Sequence, residues 1–124
     1  MKDEDVDAFA RGKRLEGGIR TAVAAWCRDQ DAAKAEYGPI ASWNTSEITD
    51  MSWLCYDKAG FNEDISRWDV SNVTSMECTF HDATSFNQRL GGVWTQSRAD
   101  MKCMFLTSPG SIEGKTNDAN GTPV

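Results

Sequence analysis

Phe61-Asn-Glu-Asp-Ile65-Ser-Arg-Trp68-Asp-Val70-Ser-Asn-Val73-Thr-Ser-Met76 carries apolar residues that recur along the chain at a spacing of 25. Ile40, Ile65 and Leu90 share that spacing, as do Met51, Met76 and Met101, and Cys55, Phe80 and Phe105. Trp43 precedes Trp68 by 25, Ile48 precedes Val73 by 25, and Phe86 follows Phe61 by 25. Tyr37 is one residue out of step, and Val93 stands where a third Trp would fall, with Trp94 beside it. The matched positions are the large apolar ones and the mismatched ones are polar, which is the pattern of a stacked core beneath a free surface. A unit of 25 residues is too short to bury its own apolar face and needs neighbours to cover it.

The period lies within the range of about 20–29 residues of leucine-rich repeats. Ile65, Trp68 and Val70 fit the L-x-x-L-x-L frame, with Trp68 and Val70 on one face of a short strand. The expected fold is therefore an α/β repeat solenoid, leucine-rich-repeat-like, with about three 25-residue repeats and a helical N-terminal cap. Its strands are predicted near 41–45, 66–70 and 91–95, with Met76 and Phe80 on a turn of helix on the return side. Its core is predicted to hold Ile40, Trp43, Met51, Ile65, Trp68, Val70, Met76, Phe80, Leu90, Met101 and Phe105. Asn62 and Asn87 read as turn residues. The Asn ladder of conventional leucine-rich repeats would fall at Ile48, Val73 and Arg98, none of which is Asn. In the third unit either Val93 takes the core slot or the chain slips one residue to seat Trp94.

With Phe80, Ala83-Thr-Ser-Phe-Asn87 and the opening segments Ala22-Val-Ala-Ala-Trp26-Cys, Tyr37-Gly-Pro-Ile40 and Trp43-Asn-Thr-Ser-Glu-Ile-Thr-Asp-Met51, this stretch resembles the BspA-like leucine-rich-repeat surface-protein family. Members carry tandem F-N-x-x-I-x-x-W-D-V-S-N-V-T-x-M-x-x-M-F repeats. The resemblance covers about residues 19 to 106. It implies a solenoid, a surface or interaction role, a cell-surface or secreted location, and no catalytic residues.

Ile19, Val23 and Trp26 fall on one helical face after Gly17-Gly18, and Asp31 is placed to N-cap a second short helix that ends at Gly38-Pro39. The expected organisation is a disordered charged N-terminus over 1–15, a helical cap over 16–38, the solenoid over 39–107 and a disordered tail over 108–124. The tail is rich in Gly, Ser, Thr, Asn and Pro and has no periodicity, so no C-terminal cap is expected.

The net charge of -6 lies wholly beyond residue 35, where twelve acids face six bases. That balance argues against nucleic acid and anionic membrane, both of which are gripped by Lys/Arg clusters. No apolar run approaches a membrane span of about 20 residues, and no secretory signal is visible in this chain. The four Cys have no CxxC spacing, and the lone His81, beside Asp82, reads as a solvated turn residue; no metal and no cofactor is expected. A Ser-His set, paired carboxylates across a cleft, a phosphate loop and an EF-hand are all missing: Glu63 and Asp64 are adjacent, and Asp57, Glu63 and Asp64 lack EF-hand spacing. Stacking would hold Cys78 and Cys103 within disulfide range, about 4.4–6.8 Å between Cα atoms. Without a secretion signal they read as buried free thiols, and in an oxidising compartment as a bridge. Cys27 and Cys55 read as small core residues.

The functional expectation is a non-enzymatic protein-interaction or surface-adhesion module whose partner is a protein or cell-surface ligand. The alternative is a truncated or decaying solenoid fragment with only a structural role, and self-association through the uncapped C-terminal end is a separate expectation. If Trp43, Trp68 and Val93 point inward, the outward strip offers Arg67 and Trp94 as binding anchors flanked by Asn44, Asp69 and Gln96.

Overall fold

The computed structural model describes residues 18–124; the charged segment over 1–15 lies outside the described residues. Helix α1 spans Gly18–Arg28 and buries Ile19, Ala22, Val23 and Trp26, a stripe at i, i+3, i+4 and i+7. Helix α2 spans Gln30–Tyr37. Its N-cap is Asp29, one residue after α1, rather than Asp31: the Asp29 carboxylate accepts the Ala32 amide at 3.1 Å. Asp31 sits instead in the first turn, where its charge suits the helix dipole. Gly38, at φ 82°, ends the helix and donates its amide to Lys34 O at 2.8 Å.

The expected leucine-rich-repeat solenoid does not form. Residues 40–42 and 92–96 are 3-10 helices and 66–67 are a turn, so none of the three predicted strands exists. The described residues hold instead a small mixed domain: two helices and one two-stranded parallel sheet, β1 (Arg89–Leu90) against β2 (Ser111–Ile112). Short polar side chains compete with a strand ladder here. Asn44, Asp64 and Asp69 each accept the amide and hydroxyl of the Ser two residues on, closing tight local turns at 2.6–3.0 Å.

The 25-residue spacing survives as contact between three turn segments, 51–58, 76–83 and 101–108, lying side by side. Met51, Trp53, Cys55 and Asp57 donate their amides to the carbonyls of Ser75, Glu77, Thr79 and His81; Leu54, Tyr56 and Lys58 donate locally, three residues back. Met76, Cys78, Phe80 and Asp82 repeat the cross-links to Asp100, Lys102, Met104 and Leu106. This division of donors turns the backbone left-handed at Trp53, Asp57, Cys78, Asp82, Cys103 and Thr107, with φ between 49° and 62°. Met76 and Phe80 therefore lie on successive turns and not on a helix.

All eleven core residues named from the sequence are buried. Trp43 and Trp68 stack at 6.2 Å, and Phe80 stacks on Phe86 at 4.0 Å and on Phe105 at 5.6 Å. In the third unit Trp94 takes the core slot: it is 1% exposed and its indole donates to Ile65 O, as the Trp68 indole donates to Ile40 O. Val93 is left 45% exposed.

The tail over 108–124 is folded, contrary to the disorder expected of its composition, and so the edge of the third segment is not open. Phe105 N donates to Gly121 O at 2.8 Å and Cys103 N to Thr122 Oγ1 at 2.8 Å, while Ile112 is buried. Gly121, at φ 75°, lies so close to the Leu106 backbone that a Cβ would collide with it.

Candidate functional site

The strip expected to bind loses its anchor, because Trp94 is buried beneath it. Arg67 and Asp69 remain exposed, but the Asp69 carboxylate is held by Ser71, and half-buried Asn44 is likewise held by Ser46. The Ser71 hydroxyl and amide keep the Asp69 carboxyl below the usual carboxylate range. Gln96, also exposed, lines an open groove of about 510 Å³ with Val93 and Arg98; Arg67 and Asp69 are not in its walls. The five residues thus share no concave site.

A different surface collects the exposed aromatic residues. Trp53 and Tyr56 are each 44% exposed, the largest aromatic exposures among the described residues. Their ring centroids lie 5.1 Å apart and nearly perpendicular, at 82°. His81, from the adjacent turn segment, stacks under Trp53 at 5.6 Å and 25°, and meets Tyr56 edge-on at 5.3 Å. The hydrogen bonds Trp53 N to Glu77 O and Asp57 N to His81 O hold the two segments in register. His81 is therefore half-buried in an aromatic cluster rather than free in a solvated turn. Its Nδ1 lies 3.2 Å from Asp82 Oδ2, near enough for ion pairing but not aligned as a hydrogen bond.

Reading the sequence for its period passed over this cluster. Trp53 occupies the position of Cys78 and Cys103, and Tyr56 that of His81 and Leu106, so no Trp, Tyr or Phe repeats in either column. The available signal was two large aromatic residues three apart, Trp53 and Tyr56, outside the core columns.

Trp53 also sits at φ 60°. A left-handed conformation costs a non-glycine residue about 1–2 kcal/mol. In the same column Cys78 and Cys103 occupy that conformation while joined by a disulfide, with Cα atoms 4.7 Å apart. Among the described residues, Glu77 is the one further Asp, Glu, His or Cys side chain that brings a ligand atom within 4.8 Å of both sulfurs. With the sulfurs bonded to each other, the trio offers a metal one carboxylate and no thiolates.

A cleft of about 350 Å³ lies at the end of α1, walled by Trp26, Cys27, Lys58, Phe61 and Glu63. Cys27 is exposed there, not in the core as expected, whereas Cys55 is fully buried. Burial pushes both thiols up, Lys58 pulls the other way on both, and Glu63 adds to the rise at Cys27.

These features define a small mixed domain with a helical pair at its N-terminal side and an exposed aromatic patch on adjoining turns. A family model described as Mycoplasma protein of unknown function, DUF285, matches residues 28–116, and the chain belongs to that family. The match spans all three patch residues. No curated protein and no solved structure matches the chain.

Proposed function

We propose that this domain is a non-enzymatic adhesion or protein-interaction module of the kind found among BspA-like surface proteins, and that Trp53, Tyr56 and His81 form its contact surface. The observation that carries the reading is the pair of half-exposed rings, Trp53 and Tyr56, packed against each other and against His81 on adjoining turns. Trp and Tyr are the side chains that most often dominate interfaces. The Cys78–Cys103 disulfide supports display outside the reducing interior of a cell. A solely structural role leaves the exposure of Trp53 and Tyr56 without a reason, and the paired tail removes the open edge on which self-association rested.

The test is display of the chain on a non-adherent bacterium, followed by counting attachment to cultured epithelial cells. Display of the native chain is expected to raise attachment, and a Trp53→Ala, Tyr56→Ala variant to return it to the undisplayed level. Equal surface display and an unchanged melting temperature establish that the variant folds. Attachment that the native chain does not raise, or that the variant retains, overturns the reading.

A further inference from the structure

Cys78 and Cys103 sit side by side on adjoining turn segments, and the backbone holds them there independently of the bridge between them. Met76, Cys78 and Phe80 donate their amides to Asp100, Lys102 and Met104 at 2.7–2.9 Å, and Cys103 donates to Thr122 Oγ1 at 2.8 Å. The Cα separation of the two cysteines is 4.7 Å. Hydrogen-bonded extended backbones lie about 4.7–4.9 Å apart without any covalent link. Opening the bridge therefore leaves the two thiols as neighbours. Both cysteines are left-handed, at φ 52° and 49°. Side chains of consecutive residues in an extended chain point to opposite faces. The left-handed turn at Cys78 ends that alternation, and the Glu77 carboxylate lies within 4.8 Å of both sulfurs. Cys78 is buried, whereas Cys103 and Glu77 are half-buried, so the trio is open to solvent on one side.

We propose that reduction of the bridge turns Glu77, Cys78 and Cys103 into a zinc site. Two equivalents of a low-molecular-weight thiol convert the bridge to two thiols and leave joined as their own disulfide. Zinc then replaces the two thiol protons, which pass to solvent. Two thiolates and a carboxylate form a donor set for zinc; calcium and magnesium take oxygen ligands throughout. In a tetrahedron with zinc–sulfur distances of about 2.3 Å, the sulfurs stand about 3.8 Å apart. That separation fits inside the 4.8 Å that encloses all three ligand atoms. It is reached by side-chain rotation and leaves the backbone hydrogen bonds in place. Three protein ligands leave the fourth position to water. The bridge and the ion exclude each other, because both use the same sulfurs. The second and third segments are thus joined covalently in oxidising surroundings and through zinc in reducing ones.

The test titrates the full chain, oxidised or reduced with a phosphine that is then removed, with zinc by calorimetry and with cobalt as a spectroscopic probe. The reduced chain is expected to bind a single zinc ion, to release protons as it does so, and to show sulfur-to-cobalt charge-transfer absorption. Zinc is expected to raise the melting temperature of the reduced chain and not that of the oxidised chain. Cys103→Ser is expected to lose the tight site and most of the charge-transfer absorption. Loss even of an outer partner of a metal costs about 10–100-fold in affinity, so Glu77→Gln is expected to weaken zinc binding at least about tenfold. Cys27→Ser removes the exposed thiol that shares the cleft with Glu63 and is expected to bind as the native chain does. The comparison of oxidised with reduced native chain needs no substitution and decides the matter even where a variant does not fold. A reduced chain that binds no zinc, equal binding by the oxidised chain, full affinity in folded Glu77→Gln, or binding abolished in folded Cys27→Ser overturns the proposal.

Discussion

Adjacent residues Val93 and Trp94 show how a one-residue slip is resolved. Trp68 donates its indole N–H to Ile40 O at 2.8 Å, and Trp94 donates to Ile65 O at 3.2 Å. The acceptors are 25 residues apart and the donors 26, while Leu90 and Met101 keep the spacing of 25, so the 3-10 helix Gly92–Gln96 shifts the indole by one residue and delivers it to the core. Trp94→Ala is expected to destabilise by about 3–5 kcal/mol, the usual cost of truncating a buried aromatic residue. Val93→Ala, at an exposed position, is expected to change stability by less than about 0.5 kcal/mol. Urea melts of the two variants measure both, and equal effects would return the core slot to dispute. A second expectation concerns Asp64 and Asp69. The Ser66 and Ser71 hydroxyls and amides bond their charged forms and hold both carboxyls below the usual range. A carboxyl lowered on folding contributes stability that is present above its unfolded value of about 3.9 and is lost as pH falls through the folded value. Ser71→Ala is expected to raise the Asp69 titration midpoint and leave that of Asp64 in place, with Ser66→Ala doing the reverse, as followed by carboxyl NMR. Midpoints that stay put in both variants would show that the hydroxyls do not set these values.

At the scale of elements, the three turn segments and the tail form one hydrogen-bonded series. Each of the first two segments sends alternate amides to the next, and Cys103 and Phe105 of the third find their acceptors in 121–122. The two tail glycines at positive φ then separate two effects. Gly114, at φ 84°, has no atom within 4 Å of a Cβ, so Gly114→Ala carries only the backbone cost of about 1–2 kcal/mol. Gly121, at φ 75°, would drive its Cβ into the Leu106 backbone, so Gly121→Ala must also displace the tail. The expected result is a larger fall in melting temperature for Gly121→Ala, with faster amide exchange at Phe105 and Cys103. Gly114→Ala should leave those two amides protected. If exchange at Phe105 is the same in both variants, the tail does not hold the third segment.

Across the whole molecule, what was legible in the sequence was burial, and what was not was backbone conformation. The columns Ile40-Ile65-Leu90 and Met51-Met76-Met101 mark buried positions because stacking brings like residues together whatever path the chain takes between them. Trp68 and Val70, two apart, satisfy a strand, but the same spacing holds on either side of the exposed, serine-bonded Asp69. The aromatic patch was hidden because His81 reaches Trp53 and Tyr56 only when neighbouring segments lie side by side, and the tail because its order comes from acceptors it supplies to residues 16 to 19 positions earlier. The cysteines test the arrangement as a unit. Cys78 and Cys103 are joined across two segments, Cys55 is buried beneath the first, and Cys27 is exposed on α1. Without reductant, a thiol reagent is therefore expected to modify Cys27 alone in the folded protein, slowly because burial raises its thiol, and Cys27 and Cys55 after unfolding. Reduction before unfolding should bring all four into reach. Closing a loop of 25 residues is worth about 3–4 kcal/mol in the unfolded chain, so the reduced protein should melt well below the oxidised one. Four reactive thiols in unfolded, never-reduced protein would remove the bridge, and with it the support it lends to display outside the cell.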